Sequence, residues 1–335
     1  MTAPRDVFGR PMRDLRVSVT DRCNFRCPYC MPREVFGASH AFLPKPQILT
    51  FEEIVRVVSV MSSLGVRKIR LTGGEPLLRH DLPELVRMLS GIEALEDLAL
   101  TTNGLLLGTA ARALRDAGLR RVTVSLDALD DAVFRAMSGS ERPVEDVLEG
   151  IRAARSAELP VKINCVVQRG VNEDQIVPLA EWCREERCTL RFIEYMDVGN
   201  HNHWQISSVV PVAEIRDRLS SFHDLLPVDP AFRGEVAQRY RYADGAGEIG
   251  FVSSVTEPFC HDCHRARLTA DGKLVTCLFA SGGSDLRSVL RRGVSDQELA
   301  DFVSSVWTRR EDRYSELRAE SPSRTNKVEM SYVGG

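Results

Sequence analysis

The 335-residue sequence lacks any long apolar run. No stretch approaches the ~18 residues that a membrane-crossing helix needs. The segment Met1 to Arg16 carries charges and no apolar core of the kind a secretory leader shows. An excess of positive charge is also missing: 44 Lys and Arg against 47 Asp and Glu give a net charge of −3. That balance, with only 7% aromatic residues, lacks the basic and aromatic footprint of nucleic-acid binding. The nine cysteines are odd in number and unevenly spread, which does not fit a disulfide-stapled scaffold. What remains is a chain expected to be soluble and cytoplasmic, with neither membrane nor nucleic acid as partner. Its hydrophobic content of 43% is enough for a sizeable core, and its charged content of 27% is ordinary.

Short β-rich runs alternate with helical stretches through the first two-thirds of the chain. The expected strands are Leu15–Thr20, Lys68–Thr72, Asp97–Thr102, Arg121–Asp127, Val161–Val167 and Thr189–Tyr195. Thr50 and Glu53 have capping-box spacing, and Ile54, Val57, Val58 and Met61 recur at helical intervals up to Gly65. Further helical patterns cover Leu82–Leu89, Leu107–Ala117, Val144–Ala157 and Glu173–Glu186. Such alternation predicts an α/β fold, a parallel sheet or barrel with helices outside. Within the strands, apolar residues alternate with polar ones, so Arg16, Arg70, Thr123 and Lys162 share a face opposite Val17, Ile69, Val124 and Ile163. A small closed barrel fills its inside with branched apolar residues. A polar inner set predicts a wider, incomplete barrel around a wet ligand; an antiparallel sheet with one solvated face would alternate in the same way. After Gln205 the alternation fades, so the expected division is a barrel over 1–205 and a C-terminal domain over 206–335. Ser321 to Gly335 reads as a tail.

Six cysteines form two triplets. Cys23-x3-Cys27-x2-Cys30 follows the first expected strand, on the side where barrel active sites gather. Three thiolates on one loop can hold three corners of an iron–sulfur cubane, which usually takes four cysteines; a structural zinc site also wants four protein ligands. Cys260-x2-Cys263-x13-Cys277 repeats the triplet with different spacing. His261 and His264 lie within it, so a zinc ribbon competes there. Arg265 and Arg267 follow at alternate positions, as a grip on a polyanion would require. Cys165, Cys183 and Cys188 have no partner at metal spacing and read as small buried apolar residues.

The run Cys23-Asn-Phe-Arg-Cys27-Pro-Tyr29-Cys30, with Thr72-Gly73-Gly74-Glu75-Pro76 one βα unit later, resembles the radical S-adenosylmethionine (SAM) superfamily. The resemblance implies an incomplete (β/α)6 TIM-like barrel, a [4Fe-4S] cluster on Cys23, Cys27 and Cys30, and SAM chelating the open iron. It places SAM against Tyr29, Gly74, Ser125 and Met196. The second triplet and the terminal Gly334-Gly335 extend the likeness, from about Asp14 to Gly335, to the GTP 3′,8-cyclase family of molybdenum cofactor biosynthesis. That likeness implies a second [4Fe-4S] cluster on Cys260, Cys263 and Cys277 that binds the guanine. It implies GTP contacts at Arg16, Arg70, Thr101, Lys162, Arg265, Ala266 and Arg267, and catalytic roles for Arg265, Arg267, Gly334 and Gly335. It further implies an external electron donor and a downstream cyclic pyranopterin monophosphate synthase that consumes the product, and it leaves a homodimer open. Two alternatives stand beside it: a radical SAM enzyme modifying peptides or sulfatases with an auxiliary cluster, and a zinc-binding nucleic-acid module.

Overall fold

The computed structural model describes residues 3–318 and 326–334. Six parallel strands form its centre: β1 (Asp14–Ser18), β2 (Lys68–Thr72), β3 (Asp97–Thr102), β4 (Arg121–Ser125), β5 (Val161–Val167) and β6 (Thr189–Glu194). They lie side by side in chain order. Each crossover is helical: α1 (Phe51–Ser63), α2 (Leu82–Ser90), α3 (Leu107–Asp116), α4 (Asp131–Ser138) with α5 (Val144–Ser156), and α6 (Ile176–Glu185). Parallel neighbours require such crossovers. Thr50 and Glu53 cap α1 reciprocally, and Ile54, Val57, Val58 and Met61 are the buried stripe that the 3.6-residue period requires. Gly65 follows with φ +110°, where a left-handed stop favours glycine.

The apolar strand residues Val17, Ile69, Val122, Val124 and Ile163 are fully buried in the main core. Burying each such side chain stabilises the fold by roughly 1.5–3 kcal/mol. Cys165, Cys183 and Cys188 belong to the same core. β1 and β4 end two residues earlier than expected and β6 one, where the chain turns into loops; Val19 and Leu126 still pair through their N–H groups with Thr72 O and Asn164 O at 2.9 Å.

The chain beyond Gln205 continues the same sheet rather than starting another. After α7 (Val212–Ser220) come β7 (Leu225–Val228), β8 (Gln238–Tyr242) and β9 (Glu248–Val252); β9 adds parallel to β6, and β8 and β7 follow it antiparallel. At the other edge β10 (Arg265–Leu268) adds parallel to β1, followed by β11 (Lys273–Val275) and β12 (Ser284–Asp285). β1 and β6 therefore do not meet, and the barrel stays open. Helices α8 (Leu286–Arg291) and α9 (Asp296–Thr308) follow, and α9 packs on α1. Part of the expected tail is structured: α10 (Met330–Val333) returns to the body with Val333 fully buried. Among the described residues, no helix is long and apolar enough to cross a membrane.

Candidate active site

A cavity of about 620 Å³ occupies the inside of the curl. Its wall is the polar face of the strands: Arg16 from β1, Arg70 from β2, Thr101 from β3, Ser125 from β4 and Lys162 from β5, with Met196 just beyond β6. All six cysteines of the two triplets line it, together with Tyr29, Gly74, Arg265 and Arg267. Ala266 does not. It lies between the two arginines on β10, so its side chain points the other way and is fully buried in the core.

The two triplets sit at opposite mouths of the barrel. Cys23, Cys27 and Cys30 follow the C-terminal end of β1. Cys260 and Cys263 precede β10, which starts level with Asp14 at the N-terminal end of β1. β11 runs back antiparallel and delivers Cys277 to that same end. Five-residue strands at ~3.3 Å per residue put roughly 15 Å between the mouths.

Local structure sets the first triplet. Cys30 N–H and Met31 N–H donate to Cys27 O at 3.0 and 2.8 Å. The Arg26 guanidinium donates to Cys23 O, Phe25 O and Phe36 O, each at 2.7 Å. Helix α4, absent from the sequence reading, supports the loop: Phe134 packs edge-on to Phe25, and Arg26 N–H donates to Ser138 O at 3.0 Å. The glycines of the next loop serve this contact too. A Cβ on Gly73 would overlap Thr20 O, and one on Gly74 would overlap Arg22 O. Close approach to the cysteine loop therefore requires glycine at both positions, and both also line the cavity. Glu75 N–H donates to Arg22 O at 2.7 Å. The Glu75 carboxylate accepts from Thr102 Oγ1, Asn103 N and Leu77 N at 2.7, 2.7 and 3.0 Å. Burial pushes it up to about 7, partly offset by those bonds. Tyr29 Oη donates to Asp127 Oδ2 at 2.7 Å; burial pushes Asp127 up to about 6 against that bond.

The thiols of each triplet are unpaired. Burial pushes Cys23 up to about 11, with Glu75 adding to it, and pushes Cys27 and Cys30 well up, with repulsion from the neighbouring thiols adding to it. At the other mouth burial also pushes Cys263 up, but Arg265 and Arg310 overcome it and hold the thiol at about 6. Arg265 Nη2 stands 3.5 Å from Cys263 Sγ. Burial and then Asp312 raise Cys277 to about 12. Neither histidine of the competing zinc reading lines the cavity: His261 is largely exposed, and His264 is buried beside Phe232. Among the described residues, no three His, Cys, Asp or Glu side chains converge on a single-ion site. The grouping of each triplet rests on shared lining and mutual electrostatics. As donor sets, three soft thiols per mouth suit an iron–sulfur group with one iron left open.

Between the mouths the wall is cationic. The register sets Arg267, Arg16 and Arg70 side by side on β10, β1 and β2. Burial, then mutual repulsion, pulls Arg16 and Arg70 well below the ordinary arginine range and Lys162 down to about 8. Arg70 Nη1 donates to Thr101 Oγ1 at 3.1 Å. Asp14 also lines the cavity and partly offsets the repulsion on Arg16 and Arg70, whereas two other nearby acids are engaged elsewhere. Asp127 binds Tyr29 and Val166 N, and Glu194 accepts from Val212 N, Val255 N and Thr256. Further cations face the cavity, among them Lys68, Arg121 and Arg191. Each lies on the inward face by the same period-two rule that singled out Arg70 and Lys162. Lys68 and Arg121 share Asp97, at 3.7 and 2.5 Å.

The C-terminal segment reaches this wall. Arg267 Nη1 donates to Val333 O at 3.2 Å and to Gly334 O. Gly334 has φ +73°, and a Cβ there would overlap Thr72 Cγ2. Gly335 lies outside the described residues.

An open parallel barrel with a CxxxCxxC loop after its first strand is the architecture of the radical SAM superfamily, whose family signature matches residues 17–183. Residues 188–316 match the Molybdenum Cofactor Synthesis C family. The chain is 53% identical to the GTP 3′,8-cyclase of Acidothermus cellulolyticus, with all of both chains covered. It is 54% identical to that of Xanthomonas axonopodis pv. citri, again over the whole of both, and 47% identical to that of Staphylococcus aureus, over 99% of this chain and 98% of that one. The chain belongs to the GTP 3′,8-cyclase family. Radical SAM membership implies a [4Fe-4S] cluster and SAM. Among solved structures, Streptococcus suis SuiB bound to S-adenosylmethionine shares the fold at 14% identity and TM-score 0.60, over 80% of this chain and 60% of that one. SuiB bound to the precursor peptide SuiA matches at 12% identity and TM-score 0.62, over 95% and 69%.

Proposed function

We propose that this chain converts GTP to (8S)-3′,8-cyclo-7,8-dihydroguanosine 5′-triphosphate, the first step of molybdenum cofactor biosynthesis. The observation that carries the reading is a cavity with a thiol triplet at each mouth and, between them, a row of cations that has no ion pair among the described residues. A peptide substrate has no need of that row, whereas a triphosphate brings about four negative charges that must meet fixed cations.

Cys23, Cys27 and Cys30 hold the [4Fe-4S] cluster, and Tyr29, Gly74, Ser125 and Met196 line the place of SAM. Cys260, Cys263 and Cys277 would hold a second cluster, which would supply a binding point for the guanine. When bound, the first cluster and SAM supply a 5′-deoxyadenosyl radical that takes the ribose 3′ hydrogen; C3′ then bonds C8, and one electron and one proton complete an isomer of GTP. Arg16, Arg70 and Lys162, joined by Lys68 and Arg191, hold the triphosphate, and Thr101 fixes Arg70 through its hydroxyl. Arg265 stabilises thiolate at Cys263. Arg267 orients the substrate while it anchors the carbonyls of Val333 and Gly334, which supports a catalytic role for the Gly-Gly end. The same reading assigns the radical SAM barrel to residues 1–205, and the second cluster with the Gly-Gly end to residues 206–335. An external donor supplies two electrons, one for SAM cleavage and one to complete the product, and a cyclic pyranopterin monophosphate synthase takes that product.

The test is anaerobic reconstitution with iron and sulfide, then incubation with SAM, GTP and a strong reductant. Chromatography with mass spectrometry should find 5′-deoxyadenosine and a GTP isomer together. 5′-Deoxyadenosine with GTP left intact would move the substrate elsewhere.

A further inference from the structure

Behind the second triplet lies a group of buried charges, one of which, Arg310, also borders the cavity. The Asp6 side chain is completely buried, and those of Arg10 and Arg310 nearly so. Asp6 Oδ1 accepts from Phe8 N at 3.0 Å and Arg10 N at 2.9 Å, folding the N-terminal segment into a tight turn. Asp6 Oδ2 accepts from Arg10 Nε at 2.6 Å and Arg310 Nη1 at 3.0 Å, so two guanidiniums share one carboxylate. Their remaining donors reach every segment that carries a cysteine of the second triplet. Arg310 Nη1 donates to Cys263 O at 2.7 Å, and its Nε donates at 3.1 Å to the carbonyl of Thr276, the residue before Cys277. Arg10 Nη1 donates to Cys260 O at 2.5 Å and to Asp312 O at 3.0 Å. The buried Trp307 indole donates to Arg10 O at 3.0 Å, with the Arg310 guanidinium over its ring.

Hydrocarbon side chains would fill this space at less cost than two guanidiniums. What arginine adds is a rigid fork of donors and a charge that does not titrate away. Both are spent on the backbone of the three cysteine segments. Groups that fix ligand backbone and field are the usual means by which a protein tunes a metal centre.

We propose that Asp6, Arg10 and Arg310 form a clamp that sets the spacing of Cys260, Cys263 and Cys277 and holds fixed positive charge behind them. They are positioning residues for the metal group of that triplet. The inference rests on the reading that the second triplet holds an iron–sulfur cluster.

The test uses the full chain with Cys23, Cys27 and Cys30 changed to Ala, so that bound iron and sulfide report the second triplet alone. Into it go Asp6→Asn, Arg310→Gln and Arg310→Lys. Chelator competition should find iron held roughly 10- to 100-fold more weakly in all three. The midpoint potential, followed by electron paramagnetic resonance, should separate them. Arg310→Gln removes positive charge and lowers the potential; Asp6→Asn removes negative charge and raises it. Arg310→Lys keeps the charge and the potential but loses the fork. A merely structural role would not reverse sign with charge. Where an Arg310 variant is insoluble, Arg10→Lys, which loosens only the Cys260 side, should show the same weakened retention. Wild-type iron retention and potential in the variants would overturn the clamp while leaving the second cluster standing. A background protein that binds no iron at all would remove the second cluster, and the clamp with it.

Discussion

Lys162→Met separates what the cation wall costs from what it is for. Lys162 lies on β5 between Thr123 and Thr189, faces Arg191, Arg121, Lys68 and Arg70, and has no ion-pair partner among the described residues. Burial, then those cations, takes it from 10.5 to about 8. The folded value lies below the ordinary one, so the unfolded chain binds the proton more tightly. The penalty on folding is complete below pH 8 and fades as pH rises towards 10.5. At ~1.4 kcal/mol per pH unit this is about 3 kcal/mol at most, which residual water access reduces to roughly 1–2 kcal/mol. Methionine fills a similar volume without charge. Anaerobic urea unfolding of the unliganded protein should therefore find Lys162→Met more stable than wild type by roughly that amount at pH 7, with the gain gone near pH 10.5. GTP binding should move the other way, losing on the order of 10- to 100-fold as one charge-assisted contact is removed, with SAM binding unchanged. A variant that is less stable at pH 7, or equally good at binding GTP, would refute the claim that this amine waits for an anion.

Other expectations follow from particular residues. Cys23→Ala should abolish reductive SAM cleavage, whereas Cys277→Ala should keep it and stop formation of the GTP isomer; 5′-deoxyadenosine assays with product chromatography tell the two apart. Gly334→Ala places a Cβ against Thr72 Cγ2 at a positive φ, so the C-terminal end should dock poorly; cyclisation should fall at least tenfold while SAM cleavage persists. Thr50→Ala removes one half of the α1 capping box and should cost about 1 kcal/mol in chemical unfolding without altering either ligand's affinity.

Much of the barrel was legible in the sequence because period-two alternation and capping chemistry are local. The six central strands and the Thr50 cap needed no tertiary information. Helix α4 escaped because eight residues between Asp130 and Gly139 make too short a period to stand out, although its Asp130 cap and left-handed Gly139 are ordinary stop and start signals. The cysteine triplets were legible as spacing. That they occupy opposite mouths was not, since it depends on β10 pairing parallel with β1, some 250 residues away in the chain. Lys68, Arg121 and Arg191 carried the same period-two signal as Arg70. Ala266 was included with its flanking arginines, yet one step along a strand turns its side chain into the core. The close approach of Thr20 and Arg22 to the paired glycines is likewise a tertiary contact that no local pattern announces. Asp6, Arg10 and Arg310 could not be joined from sequence at all, because the contact spans about 300 residues.

The central claim is tested most directly with GTP carrying deuterium at C3′, incubated anaerobically with the reconstituted chain, SAM and a strong reductant. The account predicts deuterium in the 5′-deoxyadenosine, formed together with a GTP isomer that has lost the label. Unlabelled 5′-deoxyadenosine with GTP recovered intact would contradict it.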